Sequence, residues 1–370
     1  MVRFRSVLVA LSVAAFLVCG SLLTPGSAQI SQHRTRNQNF GVSGGNINDI
    51  SRRFCCSGTL GALVTDGTTK YILSNNHVLG RSGNAAPGED VSQPGRIDLN
   101  CNVGDIVADF TFAPALEPSN VDAAIAELRT GQMDSSGEIE GIGVPSSTTV
   151  SPAVGMAVTK AGRTTGVTTG TISSINTSVS VQYQAGCGGG KKFTVGYVNQ
   201  IVINSSTFSA GGDSGSAILT ISDKNPVGLL YAGSSTSTIG NPMTDVLAAL
   251  NAGMGRTFSV VGTASGGGSS LQSSIGTEGM QPYNPGLGSQ MRQLPQQAAD
   301  RATAVLELHR ANIMFSPGVI GAGVGAASDD NLEPAIIVYV DRTGPGRPQL
   351  ARSLDGIPVR MVLTDPFVAF

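Results

Sequence analysis

Short apolar runs alternate with polar turns from about residue 46 to residue 260. In "GALVTDGTTKYILSNN", residues 61–76, two runs rich in β-branched and aromatic residues meet at Asp66-Gly67, which predicts a β-hairpin. Similar runs predict further strands at "IVADFTFA", "AAIAEL", "TTGTISSI", "VSVQY", "KFTVGYV", "NQIVINS", "SAILTI" and "PVGLLYAG". Many short strands at this spacing are typical of an all-β sandwich or barrel. A short helix at "PMTDVLAALN" is predicted to close this region.

The pattern changes after residue 260. Residues 261–292 are rich in glycine and serine, which predicts a flexible linker. Apolar residues then recur at helical spacing in "PQQAADRATAVLELHRANI" and are followed by predicted strands at "GVIGAGVGA", "AIIVYVDR" and "IPVRMVLT". We therefore expect residues 293–370 to form a small α+β domain.

The N-terminus has the pattern of an export signal. Arg3 and Arg5 precede a short apolar run, and small residues lead to a cleavage site after Ala28. A membrane anchor is the alternative, but the run is short and ends in Pro25 and Gly26. We predict a signal peptide at 1–28, a polar lead-in at 29–45, secretion, and no membrane anchor after cleavage.

Charge and cysteine content narrow the function classes. The formal net charge is −2, and loss of Arg3 and Arg5 makes the chain more acidic, so nothing favours nucleic acid as a partner. Four cysteines remain, Cys55, Cys56, Cys101 and Cys187, which allow two disulfides in three pairings. The adjacent cysteines are expected to reach different partners. With three histidines and no Cys-x-x-Cys pair, neither a metal nor another cofactor is expected.

One loop carries a candidate nucleophile. In "SAGGDSGSAI", residues 209–218, Ser214 lies between glycines and just before an apolar run. A nucleophilic serine needs a base, and a carboxylate to orient that base. His33 falls in the lead-in and His309 on a predicted helix, whereas His77 directly follows the second strand of the hairpin. Asp122, at the head of "VDAAIAEL", is the candidate acid, although for this residue alone a capping role in a turn is the simpler interpretation.

The order His77, Asp122, Ser214 is that of chymotrypsin-type proteases. Over roughly residues 46–255 the chain resembles the trypsin-like (chymotrypsin-fold) serine proteases, in a divergent secreted bacterial form. Four segments carry the resemblance in order: "CCSGTLGALVTDGTTKYILSNNHVL", "VDAAIAEL", "KAGRTTGVTTGTI" and "GGDSGSAI". It implies an all-β protein with two six-stranded antiparallel β-barrels over 46–260, followed by the small α+β domain. It also implies a serine endopeptidase that acts on proteins or peptides.

The resemblance assigns further roles. The N–H groups of Gly212 and Ser214 would form the oxyanion hole. Asp213 would be buried and paired with Arg163 of "GRTTG", which would hold the loop in shape without a newly cut N-terminus. The family's usual bridge to a cysteine after the catalytic histidine cannot form, because Val78 follows His77. Disulfides would therefore run to Cys101 and Cys187.

Specificity is less constrained by the sequence. Phe208, six residues before the nucleophile, stands where trypsin has an acid, which argues against selectivity for arginine or lysine. Ala232 and Gly233 are expected to pair with an extended substrate, and a small or apolar residue is expected on the acyl side of the scissile bond (P1). Residues 293–370 resemble a module that trails some bacterial and plant trypsin-like proteins, and this predicts no function. The alternatives to a protease are a protease-fold binding or assembly protein and an esterase with the same triad.

Overall fold

The structure is a computed structural model that describes residues 32–264, 293–328, 332–344 and 346–370. The predicted signal peptide and most of the predicted linker lie outside these residues. Among the described helices, none is long and apolar enough to cross a membrane.

Strands dominate the described chain. In chain order they are β1 (Val42–Asn46), β2 (Gly58–Leu60), β3 (Ala62–Thr65), β4 (Lys70–Ser74), β5 (Asp90–Gln93), β6 (Asp105–Phe112), β7 (Ala124–Leu128), β8 (Ala157–Gly162), β9 (Gly166–Thr171), β10 (Ser174–Gly186), β11 (Gly189–Asn204), β12 (Ala217–Thr220), β13 (Pro226–Gly233), β14 (Ser237–Pro242), β15 (Ser259–Val260), β16 (Val319–Ala326), β17 (Pro334–Asp341), β18 (Ser353–Leu354), β19 (Ile357–Thr364) and β20 (Phe367–Ala369). The helices are α1 (Asn76–Leu79), α2 (Leu116–Ser119), α3 (Met243–Met254) and α4 (Gln296–Met314), with short 3₁₀ turns at Arg81–Gly83 and Arg96–Leu99.

The first sheet has eight strands in the order β15-β3-β4-β7-β6-β5-β1-β2. The strand at one end, β2, and the strand next to the other end, β3, belong to one stretch of chain, because β2 continues through Gly61 into β3. Since β2 pairs with β1 and β3 pairs with β4, the sheet closes on itself as a barrel. The predicted hairpin is confirmed as β3 and β4, and β1 begins inside the stretch expected to be a loose lead-in.

The second sheet is larger and contains β8 to β14 in the order β10-β11-β14-β13-β12-β8-β9. Its interior is filled by β-branched and other apolar side chains, among them Val158, Ile201, Ile218 and Leu230, each fully buried. The prediction of an all-β chain with two barrel-like sheets is therefore confirmed. The helix predicted at "PMTDVLAALN" is confirmed as α3.

The segment after the predicted linker contains the expected helix and strands, and it extends the second sheet. β16 pairs antiparallel with β10, and β17, β19 and β18 follow outward. From α4, Ala302, Val305 and Leu306 are buried in the same apolar cluster as the second sheet. The final strand, β20, turns back and lies against β10 and β13 of the barrel. The sheet thus runs without a break from the barrel into the C-terminal segment.

Two disulfides are present, Cys55–Cys101 and Cys56–Cys187. The expectation of disulfide bonding is confirmed, and the two adjacent cysteines do reach different partners. The first bridge closes 46 residues within the first-sheet region, while the second spans 131 residues and ties that region to the β10–β11 hairpin of the second sheet. The second bridge therefore joins the two barrels covalently.

Loss of either disulfide should destabilise the protein. In the chain-entropy model each bridge contributes about 2–4 kcal/mol, with more for the longer loop. The double substitution of Cys56 and Cys187 to alanine should therefore lower the free energy of unfolding more than that of Cys55 and Cys101. Denaturant unfolding without reductant measures the free energy of unfolding of both variants. The parent unfolded in the presence of reductant serves as the reference that lacks both bridges. Equal stability of the parent and the Cys56/Cys187 variant would contradict the expectation.

Candidate active site

The predicted base and acid lie together in the first barrel. His77 lies in α1, just after β4, and Asp122 lies two residues before β7, the strand that pairs with β4. The His77 Nδ1 and Asp122 Oδ2 atoms are 2.6 Å apart, and the His77 backbone N–H donates to Asp122 Oδ1 at 3.2 Å. The other two histidines are elsewhere, since His33 Nδ1 contacts the Gly41 carbonyl and His309 pairs with an aspartate on the C-terminal segment.

Asp122 is fully buried and receives donors from both sheets. From the second sheet, the Tyr183 hydroxyl donates to Asp122 Oδ2 at 2.9 Å, and the Asn241 side chain accepts the Asp122 backbone N–H at 3.0 Å. Burial and the neighbouring Asp122 carboxylate raise the pKa of Tyr183 well above its usual value, so this hydroxyl stays protonated and can donate. Tyr183 was not predicted as a site residue, because its position in "VSVQY" is that of an ordinary strand tyrosine.

The His77 ring is held between two acceptors. Its Nδ1 faces the Asp122 carboxylate, and its Nε2 lies 3.0 Å from the backbone oxygen of Phe370. Carboxylate and carbonyl oxygens only accept, so both ring nitrogens must donate, which requires the protonated imidazolium. Burial lowers the pKa of His77, but the charge and hydrogen bond of Asp122 outweigh it, and the pKa is raised above its usual 6.5.

Ser214 lies in the loop between β11 and β12 of the second sheet and is fully buried. Its Oγ donates to the Tyr231 carbonyl at 3.1 Å, and in the described chain the His77 imidazole contacts Phe370 in place of Ser214. Thr59 of the first barrel fixes the loop, since its N–H donates to the Ser214 carbonyl at 2.8 Å. The structure thus brings the three predicted triad residues to the junction of the two barrels, with the Ser214–His77 hydrogen bond not formed.

The expected oxyanion hole has the required backbone. Gly212 has a φ of +97°, a conformation that a side chain would strain. Asp213 and Gly215 donate their N–H groups to Ala210 and Leu230. Within the described residues, no hydrogen bond takes up the N–H groups of Gly212 and Ser214. Both predicted donors are therefore available to a developing oxyanion.

The predicted Arg163–Asp213 pair is wrong. The Arg163 guanidinium turns toward the first barrel and binds the carboxylate of Asp98, with Nε and Nη2 at 2.7 Å and 2.6 Å. Arg163 follows the end of β8, and its backbone N–H is bound by Thr59 Oγ1 at 3.0 Å, so the residue belongs to the contact between the barrels. The family resemblance identified the correct segment but not the direction of this side chain.

Lys160 is the cation that lies beside Asp213. Both are fully buried, and Lys160 Nζ is 3.5 Å from Asp213 Oδ2. Asp213 also accepts the backbone N–H groups of Thr164 and Thr165 at 2.8 Å and 3.1 Å. A lysine in the buried strand "AVTKAG" was the missed signal, because an unpaired ammonium there would be very costly.

The predicted substrate-binding residues occupy two environments. Phe208 is fully buried, with Lys160 Nζ 6.0 Å from the centre of its ring. Ala232 and Gly233, at the end of β13, pair with Ala369 and Val368 of β20. The edge expected to bind a substrate is thus occupied by the chain's own last strand. Among the described residues, no cluster of three or more histidine, cysteine or acidic side chains could hold a metal.

A family model described as the Nal1 C-terminal domain matches residues 101–241, which lie within the two barrels and do not reach residues 293–370. None of the curated proteins compared with this chain matches it significantly.

Several solved structures are similar. A glutamic-acid-specific serine protease is 23% identical, with 60% of this chain and 98% of that chain covered at a TM-score of 0.42. Thermobifida fusca protease A is 18% identical, with 61% and 99% covered at 0.41, and Cellulomonas bogoriensis chymotrypsin is 18% identical, with 61% and 99% covered at 0.40. The chain is similar to these proteases at low sequence identity. The two barrels expected from the family resemblance are seen in its own strand order.

Deprotonation of Lys160 is expected to lower the reactivity of Ser214 at alkaline pH. Burial lowers the pKa of Lys160 to about 8, with the Asp213 carboxylate opposing the shift. Above that pH the amine is neutral and Asp213 loses its cation, so the rate at which a fluorophosphonate labels Ser214 should fall. Lys160→Arg should move this limb upward, because a guanidinium stays protonated.

The matched comparison for this prediction is Arg163. Lys160→Met should depress labelling at every pH, whereas Arg163→Met should depress it less, because Asp98 keeps the Ser43 hydroxyl at 2.5 Å and Arg34 at 3.8 Å. An alkaline limb that does not move in Lys160→Arg would contradict the role of Lys160.

Proposed function

We propose that this protein is a secreted serine endopeptidase that cleaves peptide bonds through an acyl-enzyme. The observation that carries the proposal is the 2.6 Å contact of His77 with the buried Asp122 at the barrel junction that also holds Ser214. A buried carboxylate against Nδ1 orients an imidazole and stabilises its protonated form, as a serine protease requires.

The proposed reaction uses each group once per half-cycle. His77 takes the proton of Ser214 as the hydroxyl attacks the carbonyl of the substrate, and Asp122 stabilises the resulting imidazolium. The N–H groups of Gly212 and Ser214 stabilise the oxyanion, and loss of one such donor typically costs about 100- to 1000-fold in rate. His77 then gives its proton to the leaving amine, and water repeats the sequence on the acyl-enzyme.

Secretion is part of the proposal. It is supported by the charged and apolar pattern of residues 1–28 and by two disulfides, which persist in oxidising compartments. The endopeptidase activity is proposed ahead of an esterase because the strand edge at Ala232 and Gly233 pairs with an extended peptide backbone, here that of β20.

Covalent labelling tests the nucleophile. A fluorophosphonate should label Ser214 in the full chain, and faster in a chain that ends at Phe367, because Phe370 lies against His77. Ser214→Ala and His77→Ala should abolish labelling, with rates reduced by about 10⁴-fold or more. His309→Ala is the matched control, because His309 also contacts an aspartate, Asp355, at 2.8 Å but lies outside the site.

Two outcomes would overturn the proposal. One is no labelling in either chain; the other is labelling of Ser214→Ala at the parent rate. A labelled protein that hydrolyses ester substrates but leaves casein and peptides intact would be an esterase instead.

The pKa of His77 gives a second test. Because the folded pKa lies above 6.5, protonated His77 contributes to stability below the unfolded value, and the contribution is lost as pH rises through the folded pKa. NMR titration of the ring in Ser214→Ala should therefore give a midpoint above 6.5, and Asp122→Asn should lower it. The three histidines can be assigned with His33→Gln and His309→Gln. An unchanged midpoint in Asp122→Asn would contradict the expected coupling.

A further inference from the structure

The last strand of the chain lies in the groove beside the triad. In β20, Phe367 and Val368 pair parallel with Val181 and Gln182 of β10, and Val368 and Ala369 pair antiparallel with Gly233 and Ala232 of β13. An extended peptide that completes a sheet between two exposed strand edges is a general mode of peptide recognition.

Phe370 lies directly against the reacting groups. Its N–H donates to the Tyr231 carbonyl at 3.3 Å, and the same carbonyl accepts the Ser214 hydroxyl at 3.1 Å. Its backbone oxygen is 3.0 Å from His77 Nε2. Residue 370 therefore occupies the position of P1, and residues 369, 368 and 367 extend away along the acyl half of a substrate.

The side chains show which residues this groove accepts. A Cβ on Gly233 would lie 2.5 Å from Cζ of Phe370, so the groove admits this ring only because residue 233 is glycine. The Phe370 ring packs against the apolar cluster of the second sheet, which contains Phe208. Phe367 is 1% exposed and packs edge-on against Tyr339, whereas Val368 is 38% exposed. Both aromatic rings of the strand thus pack against the protein.

A cavity adjoins the site. It has a volume of about 390 Å³ and is lined by His77, by residues 368–370, and farther on by Cys56 and Arg81. Residues 367–370 lie along the acyl half of the cleft, because they lead up to the backbone oxygen that contacts His77.

The root of the strand is fixed to the barrel. Thr364 Oγ1 contacts the Ser234 hydroxyl at 2.6 Å, and Asp365 binds Arg342 at 2.5 Å and also accepts from Ser235. A tethered ligand acts at an effective concentration in the millimolar range, so even weak contacts keep it bound.

We propose that the acyl half of the cleft is a binding site for apolar peptides with an aromatic P1 residue, and that residues 367–370 of the chain occupy it as a tethered ligand. The inference rests on the proposed function for its substrate class. The binding site itself does not depend on catalysis.

Removal of the strand should release the site. A chain that ends at Phe367 keeps the buried ring but loses Val368, Ala369 and Phe370, and its kcat/KM on a peptide with phenylalanine at P1 should rise about 10-fold or more. Phe370→Gly is the second variant and should give a smaller rise. Phe315→Ala is the matched control, because Phe315 directly follows α4 and is 91% exposed. A folded truncated chain with unchanged kcat/KM, or with a preference for lysine or glutamate at P1, would overturn the proposal.

Binding without turnover separates the two proposals. The truncated chain carrying Ser214→Ala is titrated with a fluorescent peptide of residues 368–370, the part of the strand that the truncation removes, and with the same peptide ending in aspartate. The first should bind at least about 10-fold more tightly, and Gly233→Val should weaken it by a similar factor, because the new side chain fills the place of the ring. Equal affinity for the two peptides would overturn the site. Selective binding by a protein whose parent never hydrolyses peptides would overturn only the proposed function.

Discussion

The structure depends on a carboxylate, Asp122, that is buried where the two barrels meet. An unpaired carboxylate in such a place is very costly, so its oxygens must be satisfied by donors. The first barrel supplies His77 as a donor, and the second supplies the Tyr183 hydroxyl. Asn241 of the second barrel anchors the residue by accepting the backbone N–H of Asp122. The hydrogen bonds that hold Asp122, and through it the imidazole of His77, are therefore complete only when the two barrels are docked.

A second buried carboxylate shapes the nucleophile loop by the same rule. Asp213 is surrounded by backbone N–H groups and by Lys160, and the N–H groups of its neighbours Gly212 and Ser214 are left to face the site. Arg163 performs a separate task, the bridge to Asp98 in the first barrel. Two cations three residues apart thus serve two carboxylates, one inside the second barrel and one between the barrels.

The sequence alone was enough to predict a feature when few residues could fill the role or when the pattern was local. With three histidines, the choice of His77 followed almost by elimination, and Asp66-Gly67 fixed the β3–β4 hairpin. The sequence did not show which way a side chain points or which distant strand it meets. Lys160 and Arg163 are close in sequence, and only the turn of the chain after β8 decides which one points inward. Tyr183 is a strand tyrosine like any other until the second barrel docks against Asp122, and the return of β20 to β10 depends on strand pairing between residues far apart in sequence.

Occupancy of the groove also determines the protonation state of the base. With Asp122 on Nδ1 and the Phe370 oxygen on Nε2, the imidazole donates from both nitrogens and has no lone pair with which to accept the Ser214 proton. Ser214 meanwhile donates to the Tyr231 carbonyl, which also holds the N–H of Phe370. When residue 370 leaves, Nε2 loses its acceptor and the imidazole is free to deprotonate. The neutral ring then offers a lone pair to which the Ser214 hydroxyl can donate in place of the Tyr231 carbonyl. Under the proposed function, the same contacts that seat the strand therefore keep the proposed triad in an unreactive arrangement.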